Sequence, residues 1–258
     1  MDKLDLPSRL KTARPVARLK QGRNEWYRIE NAAEAAATIH VYDEIGYWGV
    51  TAQDFVAELQ SVSATSIELH LNSPGGDVWD GLAILNALRQ HPANVTVIVD
   101  GLAASAASFI AMGGDRIVMA RNSQMMIHEA RTISIGNADD MRQTADMLDK
   151  VSANIASIYA ERAGGDADDW RACMRAESWY SAEEAVRAGL ADEVQAAPDK
   201  APTDTWDLSI FNYSGRDKAP DPVIDQRPAE PAREELPDEP AFQFDPDAFR
   251  RAFEEAAR

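Results

Sequence analysis

From Thr38 onward, strand-like and helix-like segments alternate along the chain, and the strand-like ones break off in turns of small residues. Ile67-Glu-Leu-His-Leu71 alternates apolar and polar residues, Val95-Thr-Val-Ile-Val99 is a β-branched run, and Met125-Met-Ile127 is apolar throughout. Between them stand helical patterns: residues 52–61, a face marked by Val78, Leu82, Leu85 and Leu88, and an alanine-rich stretch predicted to be helical from Ala103 to Met112. Strands of this kind separated by single helices pack best as a largely parallel sheet with crossover helices, so the expectation is a layered α/β fold. A chain of 258 residues with 45% hydrophobic content can fill one such core.

The points where the strands stop carry the chemistry. After Leu71 comes Asn72-Ser-Pro-Gly-Gly76, whose glycines allow positive φ and let a ligand approach exposed N–H groups. After Val99 comes Gly101-Leu-Ala-Ala-Ser105-Ala-Ala-Ser108, a serine among small residues at the start of a helix, beside N–H groups without intrahelical partners. After Ile127 comes His128. Taken singly, each has an ordinary structural reading as a turn, a small-residue helix or a core histidine. Together they supply a nucleophile, a base and oxyanion donors along one sheet.

These three ordered motifs, with Glu177-Ser-Trp-Tyr-Ser-Ala-Glu-Glu-Ala185 and Gly189-Leu-Ala-Asp192 after them, resemble the ClpP-like serine peptidases over roughly residues 39–194. The segment Ile39-His-Val-Tyr-Asp43-Glu-Ile-Gly-Tyr-Trp-Gly49 is similar to the ClpP-related head maturation proteases of tailed phages. The resemblance implies a ClpP/crotonase-like layered fold of repeated β-β-α/β-α units with a projecting long helix. It also implies Ser105 as nucleophile, His128 as general base, and the turn at Gly75 and Gly76 with the Ala106 N–H as oxyanion and substrate-binding donors. The family's triad aspartate is matched here by Glu177, a departure that a longer carboxylate can serve only from a different backbone position. The competing reading of Glu177 is an acidic residue favoured ahead of the next helix by its macrodipole. Ser108 is read as structural, and neither Glu129 nor Asp192 is chosen as the acid.

The rest of the chain constrains partners. Residues 1–37 form an N-terminal arm, with a strand expected around Trp26 to Ile29. Residues 38–197 form the peptidase-like domain. Residues 198–258 form an acidic, proline-rich tail with a short helix candidate at its C-terminal end around Phe249 and Phe253. A long helix is predicted from Ala138 to Ala163, with an apolar stripe of Met141, Ala145, Leu148, Val151, Ile155 and Ile158. By resemblance this helix joins rings, implying a homo-oligomer that extends to stacked heptamers. The single cysteine, Cys173, excludes an internal disulfide and a Cys-rich metal site, and no metal or organic cofactor is expected. A net charge of −17 argues against nucleic-acid binding, and no apolar segment suits a membrane span or a secretory signal, so a cytoplasmic setting is expected. No Gly-x-x-x-x-Gly-Lys-Ser/Thr pattern occurs, so nucleotide hydrolysis would belong to a separate ATPase partner. The expected substrate is a polypeptide, a scaffold or capsid protein. Two other functions fit the same motifs: a silent ring-forming scaffold, and an acyl-CoA processing enzyme of the crotonase fold.

Overall fold

A computed structural model describes residues 27–30, 32, 33, 35–46, 51–195, 215 and 218–221. Most of the N-terminal arm and the tail with its C-terminal helix candidate lie outside the described residues.

The elements in order are β1 (Tyr27–Glu30), β2 (Ala36–Val41), α1 (Ala52–Ser61), β3 (Ser66–Ser73), α2 (Val78–Gln90), β4 (Asn94–Ala104) and α3 (Ala106–Ala111). They continue with β5 (Arg116–Met119), β6 (Gln124–Ile127), α4 (Ala138–Ala163), α5 (Ala167–Arg175), β7 (Ser178–Ser181), α6 (Ala182–Ala188) and β8 (Glu193–Val194). β1 pairs antiparallel with β2, and then β2, β3, β4, β5 and β8 run parallel across the sheet. Tyr27–Glu30 and the start of β2 at Ala36 thus pair into the sheet, in keeping with the strand expected around Trp26 to Ile29.

β4 is the strand around which the molecule is organised. Thr96–Val99 pairs with β5, and then Leu102–Ala104 pairs with β6, so the sheet forks in the middle of one strand. β7 closes the second branch by antiparallel pairing with β6. The sequence expectation of a helix beginning at Ala103 is corrected here: Ala103 and Ala104 are strand residues paired to Met125 and Met126, and α3 occupies only Ala106–Ala111. Alanine's helix preference, worth well under 1 kcal/mol per residue, gives way to sheet hydrogen bonds on both sides.

Along the central strands, side chains alternate between two faces. Ile39, Val41, Ile67, Leu69, Leu71, Val95, Val97 and Val99 are buried, under α-helical residues such as Phe55, Leu59, Ile84, Leu85 and Leu88. Thr38, His40, His70, Thr96 and Ile98 occupy the other, partly exposed face. Helix α2 buries Gly81, Ile84, Leu85 and Leu88, while Val78 and Leu82 are only partly covered. A Cβ at Gly81 would lie 2.8 Å from the Phe109 ring, so the glycine lets α2 and α3 pack closely. Both α1 and α4 start where capping boxes place them, with Thr51 and Asp54 for α1 and Asn137 and Asp140 for α4.

Helix α4 is amphipathic over only part of its length. Val151, Ile155, Ile158 and Tyr159 are buried, whereas Met141, Ala145 and Met147 are exposed. The predicted stripe is thus covered in its second half and open in its first. Among the described residues, no helix is long and apolar enough to cross a membrane.

Candidate active site

Ser105 follows the last residue of β4 and is the N-cap of α3, with φ 55° and ψ −121°. A non-glycine residue in that region costs of order 1–3 kcal/mol and persists only when its surroundings impose it. The surroundings do so here: the Ser105 N–H donates to the Met126 carbonyl on β6 at 2.9 Å, and the Ser105 carbonyl accepts from the Ser108 N–H at 3.0 Å. A serine at an N-cap ordinarily turns its hydroxyl onto the helix, but Ser105 makes no side-chain cap bond. Its Oγ instead lies 2.8 Å from His128 Nε2.

His128 is delivered by β6, one residue beyond the strand's end, and the segment after it is fastened to α4 by the Ala130 N–H donating to Ser152 Oγ at 3.1 Å. Burial, and then the positive charge of Arg131, push the imidazole pKa down to about 4, against the opposing pull of Glu177 and a bond to the Glu129 backbone. The ring is therefore neutral near pH 7, as a general base must be.

Glu177 is 3% exposed and has φ 54°. It stands just past the C-cap of α5, a left-handed position usually held by glycine, and this turn swings the chain into β7. Its Oε2 meets Arg131 at 3.0 Å, and its Oε1 accepts from Trp179 Nε1 at 3.2 Å and from the Gly215 N–H at 3.1 Å. The structure thus brings Ser105 and His128 into direct contact and sets Glu177 beside them as a source of negative charge. The alternative of Glu177 serving the next helix is corrected: α6 begins at Ala182, and its capping box is Ser181 with Glu184. Glu129 is engaged by Arg171 and Arg175, and Asp192 accepts from the Ile117 N–H at 2.7 Å, so both act in the scaffold.

The Asn72–Gly76 turn sits against the serine. Gly75 and Gly76 have φ of 99° and 153°. A Cβ on Gly75 would meet the Ala104 carbonyl and Ser105 Cβ at 2.7 Å, so only glycine lets the turn lie this close. The Gly75 N–H donates to Ser73 Oγ at 3.2 Å. Ile45 accepts from the Asp77 N–H and donates to the Gly75 carbonyl, as in a parallel bridge, which turns the intervening Gly76 N–H away from Ile45. Asn72 accepts from the Leu102 N–H at 3.2 Å and fills the space that a Gly101 side chain would take, patching the register shift between β3 and β4.

Sequence reasoning passed over Arg131 and Tyr159, and it read Asn72 only as the start of the turn. Only Arg131 left a local signal, as a cation three residues past the histidine and just before the polar-apolar run Thr132–Ser134.

A profile of the Clp protease family matches residues 21–198. The chain is 35% identical over 130 residues to an ATP-dependent Clp protease proteolytic subunit of Pleurastrum terricola, covering 50% of this chain and 66% of that protein. It is 34% identical over 128 residues to the subunit of the same name from Chlorella vulgaris, covering 49% and 64%. ATP-dependent Clp protease proteolytic subunit 3 of Streptomyces coelicolor is 33% identical over 167 residues, covering 63% of this chain and 76% of that protein. The chain thus spans slightly less than two thirds of the length of the first two relatives.

Proposed function

This chain belongs to the Clp protease family, and on that footing we propose that it is a serine endopeptidase that cleaves polypeptides through an acyl-enzyme. The observation that carries the reading is the 2.8 Å contact between Ser105 Oγ and a neutral His128. Ser105 Oγ attacks the scissile carbonyl carbon while His128 Nε2 takes its proton. The oxyanion is held by the N–H groups of Gly76 and Ala106. Collapse expels the amine, which takes the proton from His128, and a water activated by the same imidazole then releases the acid. Glu177 stabilises the imidazolium formed in each half-reaction. Removing an oxyanion donor typically costs about 100- to 1000-fold in kcat.

The working form is a homo-oligomeric ring in a cytoplasmic setting. Two readings of its substrate differ. Similarity of Ile39–Gly49 to phage enzymes supports processing of scaffold or capsid protein during head maturation. The names of the relatives support delivery of polypeptides by an ATPase partner. Cleavage of folded capsid-shell precursors without nucleotide favours the first, and cleavage that requires ATP and an added unfoldase favours the second.

A serine-reactive peptidyl phosphonate tests the chemistry. We expect stoichiometric labelling of the wild-type chain and none of Ser105→Ala. A folded oligomer that takes up no label would overturn the peptidase reading in favour of a silent scaffold or an acyl-CoA enzyme.

A further inference from the structure

Ser108 and Tyr159 are fully buried polar residues that the mechanism does not use, and they are bonded to each other and to the nucleophile's own peptide. Ser108 is 0% exposed and Tyr159 1% exposed. Ser108 Oγ lies 2.5 Å from the Ser105 carbonyl oxygen and 2.7 Å from Tyr159 Oη. A serine hydroxyl has one proton to give. The carbonyl cannot donate, so that proton goes to the Ser105 carbonyl, and the Tyr159 hydroxyl must donate to Ser108. Burial raises the Tyr159 pKa, which keeps that donor protonated. The result is a directed chain from α4 to α3 to the end of β4, each bond polarising the next.

The Ser105 carbonyl and the Ala106 N–H belong to one planar trans peptide unit, so they point in opposite directions. Pulling the carbonyl toward Ser108 therefore aims the Ala106 N–H the other way. We propose that Tyr159, acting through Ser108, is a positioning residue for the Ala106 oxyanion donor and so links the long helix α4 to the catalytic serine. The proposal rests on Ser105 and Ala106 acting as described above. The Met126 carbonyl holds the Ser105 N–H, and the Tyr159–Ser108 relay together with the Ser108 N–H holds its carbonyl, so both peptide planes flanking the strained residue are fixed.

The experiment uses the full chain, a fluorogenic peptide amide and a peptide boronate that mimics the anionic tetrahedral state, with rates expressed per phosphonate-titrated site. Tyr159→Phe should lower kcat about 10- to 100-fold with KM changed less than twofold, and boronate affinity should fall in parallel. Ser108→Ala should do the same. In the Ser108→Ala background Tyr159→Phe should add nothing, because the route runs through Ser108. Independent, multiplying losses would overturn the proposal, as would unchanged kcat per titrated site with only a lowered Tm. Should Tyr159→Phe not fold, Ser108→Ala decides alone on the split between kcat and KM. Absence of Ser105-dependent hydrolysis in the wild type would instead refute the peptidase reading beneath it.

Discussion

His128 is where a single side chain most affects behaviour. Its pKa falls from 6.5 to about 4, so the ring stays neutral and able to accept the Ser105 proton down to mildly acidic pH. The folded state then binds fewer protons than the unfolded chain between those values. The contribution of the buried neutral ring is complete above pH 6.5 and is lost as pH falls through 4, a difference of about 3 kcal/mol. Arg131 opposes protonation by its charge, and in Arg131→Gln the acid limb of the kcat/KM profile should shift to higher pH. A limb that stays in place would show that burial alone sets the value. The nearness of Ser105 and His128 was readable from sequence because each ends a strand of recognisable pattern. The distant partners of Glu177 were not, since Arg131 and Gly215 lie 46 and 38 positions away and meet it only in the fold, whereas Trp179 is two residues on. Tyr159 stood in the sequence as one more member of a helix whose stripe promised only burial.

At the level of elements, the Pro-Gly-Gly turn is held between Ile45 on one side and Ser105 on the other. A Cβ at Gly76 would fall 2.0 Å from the Ile45 carbonyl oxygen, and φ there is 153°. Gly76→Ala should therefore force the turn off its bridge, dropping kcat by at least about 100-fold while far-UV circular dichroism stays that of the folded protein. Activity within a few-fold of wild type would show that the Gly76 N–H is not an oxyanion donor. Helices α1 and α4 were legible from their patterns, and the structure adds the capping boxes that fix their starts. The end of β4 was not legible, because Ala103 and Ala104 suit either state and their choice is made by Met125 and Met126, about twenty positions away.

On the scale of the molecule, most of the exposed large apolar residues among those described fall between Ile133 and Met147, with Tyr42 and Trp79 standing apart. Ile133 and Ile135 are 73% and 72% exposed, and Met141 and Met147 on the open half of α4 follow them. Such a group costs free energy in water unless another surface covers it, which is the observation supporting subunit contact there. Replacing Ile133 and Ile135 by lysine should lower the mass measured by light scattering at fixed protein concentration, and an unchanged mass would place the contact elsewhere. The parallel sheet itself was foreseeable from the alternation of segments, but nothing local told β4 to change partners midway. Because β3, β4 and β6 all run the same way, the Asn72–Gly76 turn, Ser105 and His128 leave the sheet at a single edge. The reversals at His91–Ala93 and Gly113–Asp115 lie at the opposite edge, where they return the chain to the next strand and line a cavity with Arg89 and Arg162. An insertion at the first edge would therefore displace or cover the catalytic groups, whereas one of the same length at the second would leave them where they stand.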